Sequence, residues 1–175
     1  MKNEEIEISD SLKFYIENFD KFKVLEEEYN NKNKMLFNKI TNELLSEINL
    51  LENKYNCYKS GNWIQIYKNN WDNEKHNGAH FEIIFKESKI IGRKMQTNIV
   101  LHLENNISEE KLKCFELTDI TKKGSIASFK GNEIKKQIIL DFTSSEKIDE
   151  SIEIIKTILI DYINKLEMLI DNALK

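Results

Sequence analysis

At Ser60-Gly61 the spacing of apolar residues changes from three or four to two, and this switch constrains the fold more than any other feature of the chain. Upstream, Leu12, Tyr15, Ile16, Phe19, Phe22, Leu25 and Tyr29 recur at helical spacing, as do Leu36, Ile40, Leu44, Ile48, Leu51 and Tyr55. Such spacing gives a helix one apolar face. The Asn-rich run from Tyr29 to Asn33 reads as a break, so the N-terminal part is expected to be an αα-hairpin, capped at Ser9 or Asp10. One long helix is the other reading, and in either case these residues serve as core and scaffold.

Downstream, Ile64 and Ile66 alternate with Trp63, Gln65 and Tyr67, the mark of a half-buried strand. Phe81, Ile83 and Phe85 repeat the pattern against His80, Glu82 and Ile84, and Ile99, Leu101 and Leu103 repeat it against Asn98, Val100 and His102. Ser108-Glu109-Glu110 opens a short helix. Residues 126–129 and 134–142 then flank Gly131-Asn132, a hairpin signal. Beyond Ser144 or Ser145, a last helix of about 42 Å carries Ile148, Ile152, Ile155, Leu159, Tyr162, Leu166, Leu169 and Ala173 in a heptad-like seam. The seam is expected to pack within the chain, since the N-terminal helices also need an apolar partner.

The expected fold is therefore α+β: an N-terminal helical hairpin, a mostly antiparallel sheet of about five strands, and a long C-terminal helix packed on it. All 175 residues form one domain, helical over 1–58, sheet over 59–143 with one short helix, and helical over 144–175. The acidic N-terminus has no apolar signal core, and no apolar run is long enough to span a membrane, which points to the cytoplasm. Cys57 and Cys114 lack metal-type spacing and are expected to be ordinary thiols. A net charge of -4 argues against general nucleic-acid binding. All but one of the 26 Lys and Arg residues are lysine, which weakens any reading based on bidentate phosphate recognition.

Four clusters carry candidate chemistry. His80-Phe81-Glu82 and His102-Leu103-Glu104 both read His-apolar-Glu, placing imidazole and carboxylate on one strand face; with His76 near, such a set has metal or acid/base potential. Glu133-Ile134-Lys135 with Asp119 matches the ExK triplet of metal-dependent nucleases, but Glu133 abuts a turn. Lys122, Lys123, Lys130, Lys135 and Lys136 form a basic hairpin able to meet phosphates or an acidic surface. Trp63, Tyr67 and Trp71, four apart, form an aromatic edge suited to anchoring a base or a partner. No phosphate-binding glycine loop or nucleophile motif is present.

The segments DSLKFYIENFDKF, GNWIQIYKNNWDN, HFEIIF and IVLHLE, followed by the long terminal helix, resemble the C-terminal portion of bacterial PD-(D/E)XK-type nuclease-family proteins over residues 10–105. The catalytic core that precedes this region in those proteins has no counterpart in the sequence. What the resemblance implies is an accessory module that engages a nuclease or its nucleic acid and does not itself cut.

The expected function is thus non-enzymatic: a small inhibitor of a nucleic-acid-targeting defence nuclease, of the anti-CRISPR kind found in phages. It is expected to be a monomer without cofactor or resident metal, and to bind the effector protein or its guide RNA through the aromatic edge and the basic hairpin. Two other readings stand beside this one: a metal-dependent enzyme built on His80, Glu82, His102 and Glu104, and an oligomerisation protein using the terminal seam.

Overall fold

The computed structural model describes residues 8–49, 55–71, 79–103, 110, 127–130 and 133–175. Among these residues three elements are helical: α1 (Asp10–Glu17), α2 (Phe19–Asn49) and α3 (Ser145–Ala173). Six strands, β1 (Tyr55–Ser60), β2 (Trp63–Lys68), β3 (Ala79–Phe85), β4 (Lys94–Leu103), β5 (Ala127–Lys130) and β6 (Glu133–Asp141), form one antiparallel sheet in the order β1-β2-β3-β4-β6-β5. The fold is α+β, as the change of period predicts.

One face of the sheet is apolar, built from Ile64, Ile66, Phe81, Ile83, Phe85, Ile99, Leu101 and Leu103, all buried. Both long helices share that core. Helix α2 contributes Leu36, Phe37, Ile40, Leu44 and Ile48, and α3 contributes Ile152, Ile155, Leu159, Tyr162, Leu166 and Ile170. Ring contacts mark the junctions, Phe37 against Phe85 at 5.1 Å and Phe81 against Tyr162 at 6.4 Å. The heptad-like seam of α3 is thus spent inside the chain. Ser144 caps α3 by accepting from the Lys147 N–H, and two turns on Ser151 exchanges two 2.9 Å bonds with the backbone of Asp141, fastening the helix to β6.

The N-terminal part departs from the expected hairpin. Residues 29–33 lie inside an unbroken α2, and the only joint is Asn18, too short for the two to five residues that join antiparallel helices. The reason lies in what each asparagine bonds. Asn18 ends α1 because its Nδ2 donates to Phe14 O at 2.9 Å, competing with the helical ladder. Asn33 has a tertiary task instead: it donates to Tyr29 O within the helix, and its Oδ1 accepts from Ile90 N at 2.7 Å and Ile91 N at 2.9 Å.

A second departure is β1, whose residues were expected to continue the helix to Tyr55. The described part of α2 ends at Asn49, whose amide satisfies both the N–H and the C=O of Tyr55, at 3.1 and 3.2 Å, and so stands in for a neighbouring strand. The chain then runs extended to a two-residue hairpin at Gly61-Asn62, where Gly61 has φ +54. A hairpin turn of that length needs such a conformation. The expected short helix after Ser108 lies outside the described residues, apart from Glu110, which is helical.

Candidate functional site

The most polar constellation lies on the sheet face opposite the helices. Strands β3 and β4 pair so that His80 stands directly opposite His102, with ring centres 5.3 Å apart. Glu82 sits one step along the same face and reaches both imidazoles, with Oε1 3.4 Å from His80 Nε2 and Oε2 3.1 Å from His102 Nε2. His80 is 3 % exposed. Burial pushes the Glu82 carboxyl up, but hydrogen bonds and charge from His102 and His80 outweigh it, and the group is held down at about 2.

Three of the four groups expected to cluster are therefore together; Glu104 and His76 lie outside the described residues. Among the described residues no three His, Cys, Asp or Glu side chains are arranged to hold a metal ion. What the arrangement does chemically is keep one carboxylate ionised between two imidazoles. Because Glu82 is depressed in the folded state, its contribution is complete above about pH 4.5 and is lost as pH falls toward 2. Denaturant titration from about pH 6 to about pH 3 is expected to show about 2 kcal/mol of stability lost through this group. The Glu82→Gln variant should lose that much less over the same range, and equal acid sensitivity of the two proteins would refute the assignment.

Of the aromatic edge, Trp71 is not an exposed anchor. It is 2 % exposed, packs on Tyr55 and Phe81, and donates its indole N–H to Asp171 Oδ1 at 2.6 Å. The run Trp63–Trp71 turns out of the strand after Lys68, which carries Trp71 onto the core side. Trp63 and Tyr67 are half-buried, with Trp63 against the Tyr58 ring at 5.4 Å. Of the basic hairpin, Lys122 and Lys123 lie outside the described residues, and Lys130 closes β5 opposite Glu133. Lys135 is exposed and Lys136 half-buried on β6; neighbours on a strand point to opposite faces, so the two do not form one patch. Asp119, the acid expected to accompany Glu133 and Lys135, also lies outside the described residues.

Two features escaped the sequence reading. One is a polar clasp under Trp71: Lys68 is 4 % exposed, ion-paired with Glu167 and Asp171 of α3, and its Nζ lies 4.8 Å from the Trp71 ring centre and 5.6 Å from that of Tyr55. Burial pushes Asp171 up, but the Trp71 N–H and Lys68 hold it below its ordinary value. The clue was available: Lys68 falls in register with Ile64 and Ile66, a charge on the apolar face.

The other is the N-terminal arm. The face Leu12, Tyr15, Ile16, Phe19, Phe22 and Leu25, expected to be core, is exposed. α1 has no buried residue, and the first buried residue of α2 is Asn33. The arm leaves the core at Tyr29, whose hydroxyl donates to Ile91 O. Phe14, Tyr15, Phe19 and Phe22 gather on one another with ring centres 5.5 to 6.0 Å apart, yet remain 37 to 60 % exposed. Apolar residues off the main stripe, Phe14 and Val24, were the sign that this helix is not one-sided.

These features define an α+β sheet protein that carries an aromatic helical arm. No family model matches the chain, and no curated protein or solved structure is significantly similar to it. No helix among the described residues is long and apolar enough to cross a membrane.

Proposed function

We propose that the chain is a non-enzymatic binding protein whose contact surface is the arm formed by α1 and the start of α2, and that its partner is a nucleic-acid-targeting nuclease which it inhibits. The observation that carries this reading is the exposed aromatic cluster of Phe14, Tyr15, Phe19 and Phe22. Contiguous apolar surface of this kind marks an interaction site, and buried aromatics supply most of the energy at interfaces. Charge supports the partner class. Around the cluster stand Asp10, Glu17, Asp20, Glu26, Glu27 and Glu28 against Lys13, Lys21 and Lys23. A groove that holds nucleic acid is basic, so an acidic arm with an aromatic tip complements it and competes with phosphates. On this reading the binding energy lies in the arm and not in the aromatic edge or the basic hairpin.

The test is an interference assay in cells carrying one of a panel of RNA-guided effectors, scored by survival of a targeted plasmid. Wild-type chain is expected to raise survival at least about 100-fold with its cognate effector, which requires binding tight enough to keep nearly all of the effector occupied. The variant Phe19→Asp/Phe22→Asp should abolish the effect while keeping its melting temperature within about 2 °C, because both rings are exposed. A double variant that inhibits as well as wild type would remove the arm from the mechanism, and a wild-type chain inert against every effector would remove the inhibitor reading.

A second reading, an acid/base or metal-dependent enzyme, rests on Glu82 bridging His80 and His102, although these three side chains alone are not arranged to hold a metal ion. Metal analysis of the purified protein, repeated on His80→Ala and His102→Ala, decides it. Stoichiometric metal lost in both variants favours the enzyme, and a metal-free wild type disfavours its metal-dependent form.

A further inference from the structure

At the root of the arm, α2, the β1–β2 turn and the β3–β4 loop enclose a cleft of about 360 Å³. Its charge is unlike that of the rest of the molecule. The chain carries a net charge of -4, yet the lining residues include Lys34, Lys59 and Lys89 and not one carboxylate. Trp63 and Phe37 supply apolar wall, and Ser60 and Ser88 supply hydroxyls.

The three ammonium groups differ in how far they are already committed. Lys34 has no ion-pair or hydrogen-bond partner among the described residues. Lys59 Nζ donates to the neutral amide oxygen of Asn38, which leaves its charge uncompensated. Lys89 is the partly neutralised member, in an exposed ion pair 3.5 Å from Glu26 Oε1 and above the Tyr29 ring. Two full positive charges therefore face an apolar-walled cleft, with a third in reserve. Asn33, though in the lining, already has its amide oxygen engaged by Ile90 and Ile91 and its amide nitrogen by Tyr29 O.

An apolar wall with convergent cations selects a ligand that is flat and apolar at one end and anionic at the other. A cleft of this size lies at the lower end of small-molecule sites, about 300 to 1,000 Å³. Lysines act as point charges, so they demand negative charge without a fixed fork geometry, which suits a phosphate more than a single carboxylate. We propose that this cleft binds a nucleotide, its base against the Trp63 and Phe37 wall and its phosphate between Lys34 and Lys59. The site is separate from the exposed aromatic rings of the arm, and the proposal stands whether or not the arm binds a nuclease. The same chemistry is offered by a free nucleotide and by the terminal nucleotide of a single strand.

Calorimetric titration of the full chain with AMP, adenosine, inorganic phosphate and a 5′-phosphorylated ribo-oligonucleotide tests it. AMP is expected to bind with a Kd below about 1 mM, and adenosine and phosphate each at least tenfold more weakly, since each offers half of the recognised chemistry. Lys34→Glu/Lys59→Glu should weaken AMP at least tenfold, while Lys135→Glu, on the distant strand β6, changes it less than twofold. Circular dichroism and melting temperature establish that each variant is folded; all three positions are exposed. An oligonucleotide that binds more tightly than AMP supports the site and identifies strand ends as its source, and one that binds more weakly supports it and identifies free nucleotides. Phosphate binding as tightly as AMP, a folded double variant that binds AMP like wild type, or no AMP binding at millimolar concentration overturns the proposal.

Discussion

Replacing Lys68 with Met is expected to lower the unfolding free energy by about 3 kcal/mol, a fall of roughly 6 to 12 °C in Tm for a chain of this size. The lysine side chain is 6 % exposed and pairs with both Glu167 and Asp171, which lie four apart on one face of α3. Without it two like charges remain side by side against the Trp71 ring. Breaking a buried pair costs about 3 to 5 kcal/mol in general. Here the lower end applies, because the two carboxylates keep about a third of their exposure and water screens part of their repulsion. Loss of the ammonium from the faces of Trp71 and Tyr55 adds to the effect. Urea denaturation of Lys68→Met measures the loss, and adding Glu167→Gln and Asp171→Asn should restore more than half of it, since the penalty lies in the stranded charges. A loss below about 0.5 kcal/mol would show that the clasp is solvated and contributes little.

The Asn33→Leu variant is expected to cost about as much, for a different reason. Leucine keeps the branched shape of asparagine, though it is larger, and cannot accept the N–H groups of Ile90 and Ile91. Ile90 is fully buried, so its N–H has no ready access to water. Each stranded donor costs about 1 to 3 kcal/mol, giving about 3 kcal/mol for the pair. Asn30→Leu, three residues away and exposed, should cost less than about 0.5 kcal/mol. Hydrogen exchange separates the two cases: the amides of Ile90 and Ile91 should lose protection in Asn33→Leu and keep it in Asn30→Leu. Retained protection would mean that water or another acceptor replaces the side chain.

These two residues also show where reading along the chain stops. Asn33 sits in an asparagine run that looks like a helix break, because asparagine bonds its own backbone readily and so favours turns. Its role follows from a loop nearly sixty residues later, which local propensity cannot register. Lys68 was visible as a charge in an apolar register, but the two carboxylates that make it tolerable lie a hundred residues on. His80 and His102 are the opposite case. Their matching His-apolar-Glu triplets placed them on one strand face each, and it took the β3–β4 register to set one ring opposite the other with Glu82 between.

Periodicity and turn chemistry were enough for most of the architecture: the change from helix to strand, although β1 already precedes Ser60-Gly61, the alternation in β2, β3 and β4, the hairpin signal ahead of β6, caps narrowed to Ser9 or Asp10 and to Ser144 or Ser145, and the long amphipathic α3. Burial did not follow from it. A helix with an apolar stripe satisfies the same pattern whether the stripe meets the core or stands in water, because amphipathicity states what a helix needs and not what the rest of the chain can reach. The sheet offers one apolar face, and α3 with residues 33–48 of α2 fill it. Among the described residues, what lies N-terminal to Tyr29 meets no apolar surface, and for that geometric reason the aromatic residues expected in the core form an exposed arm.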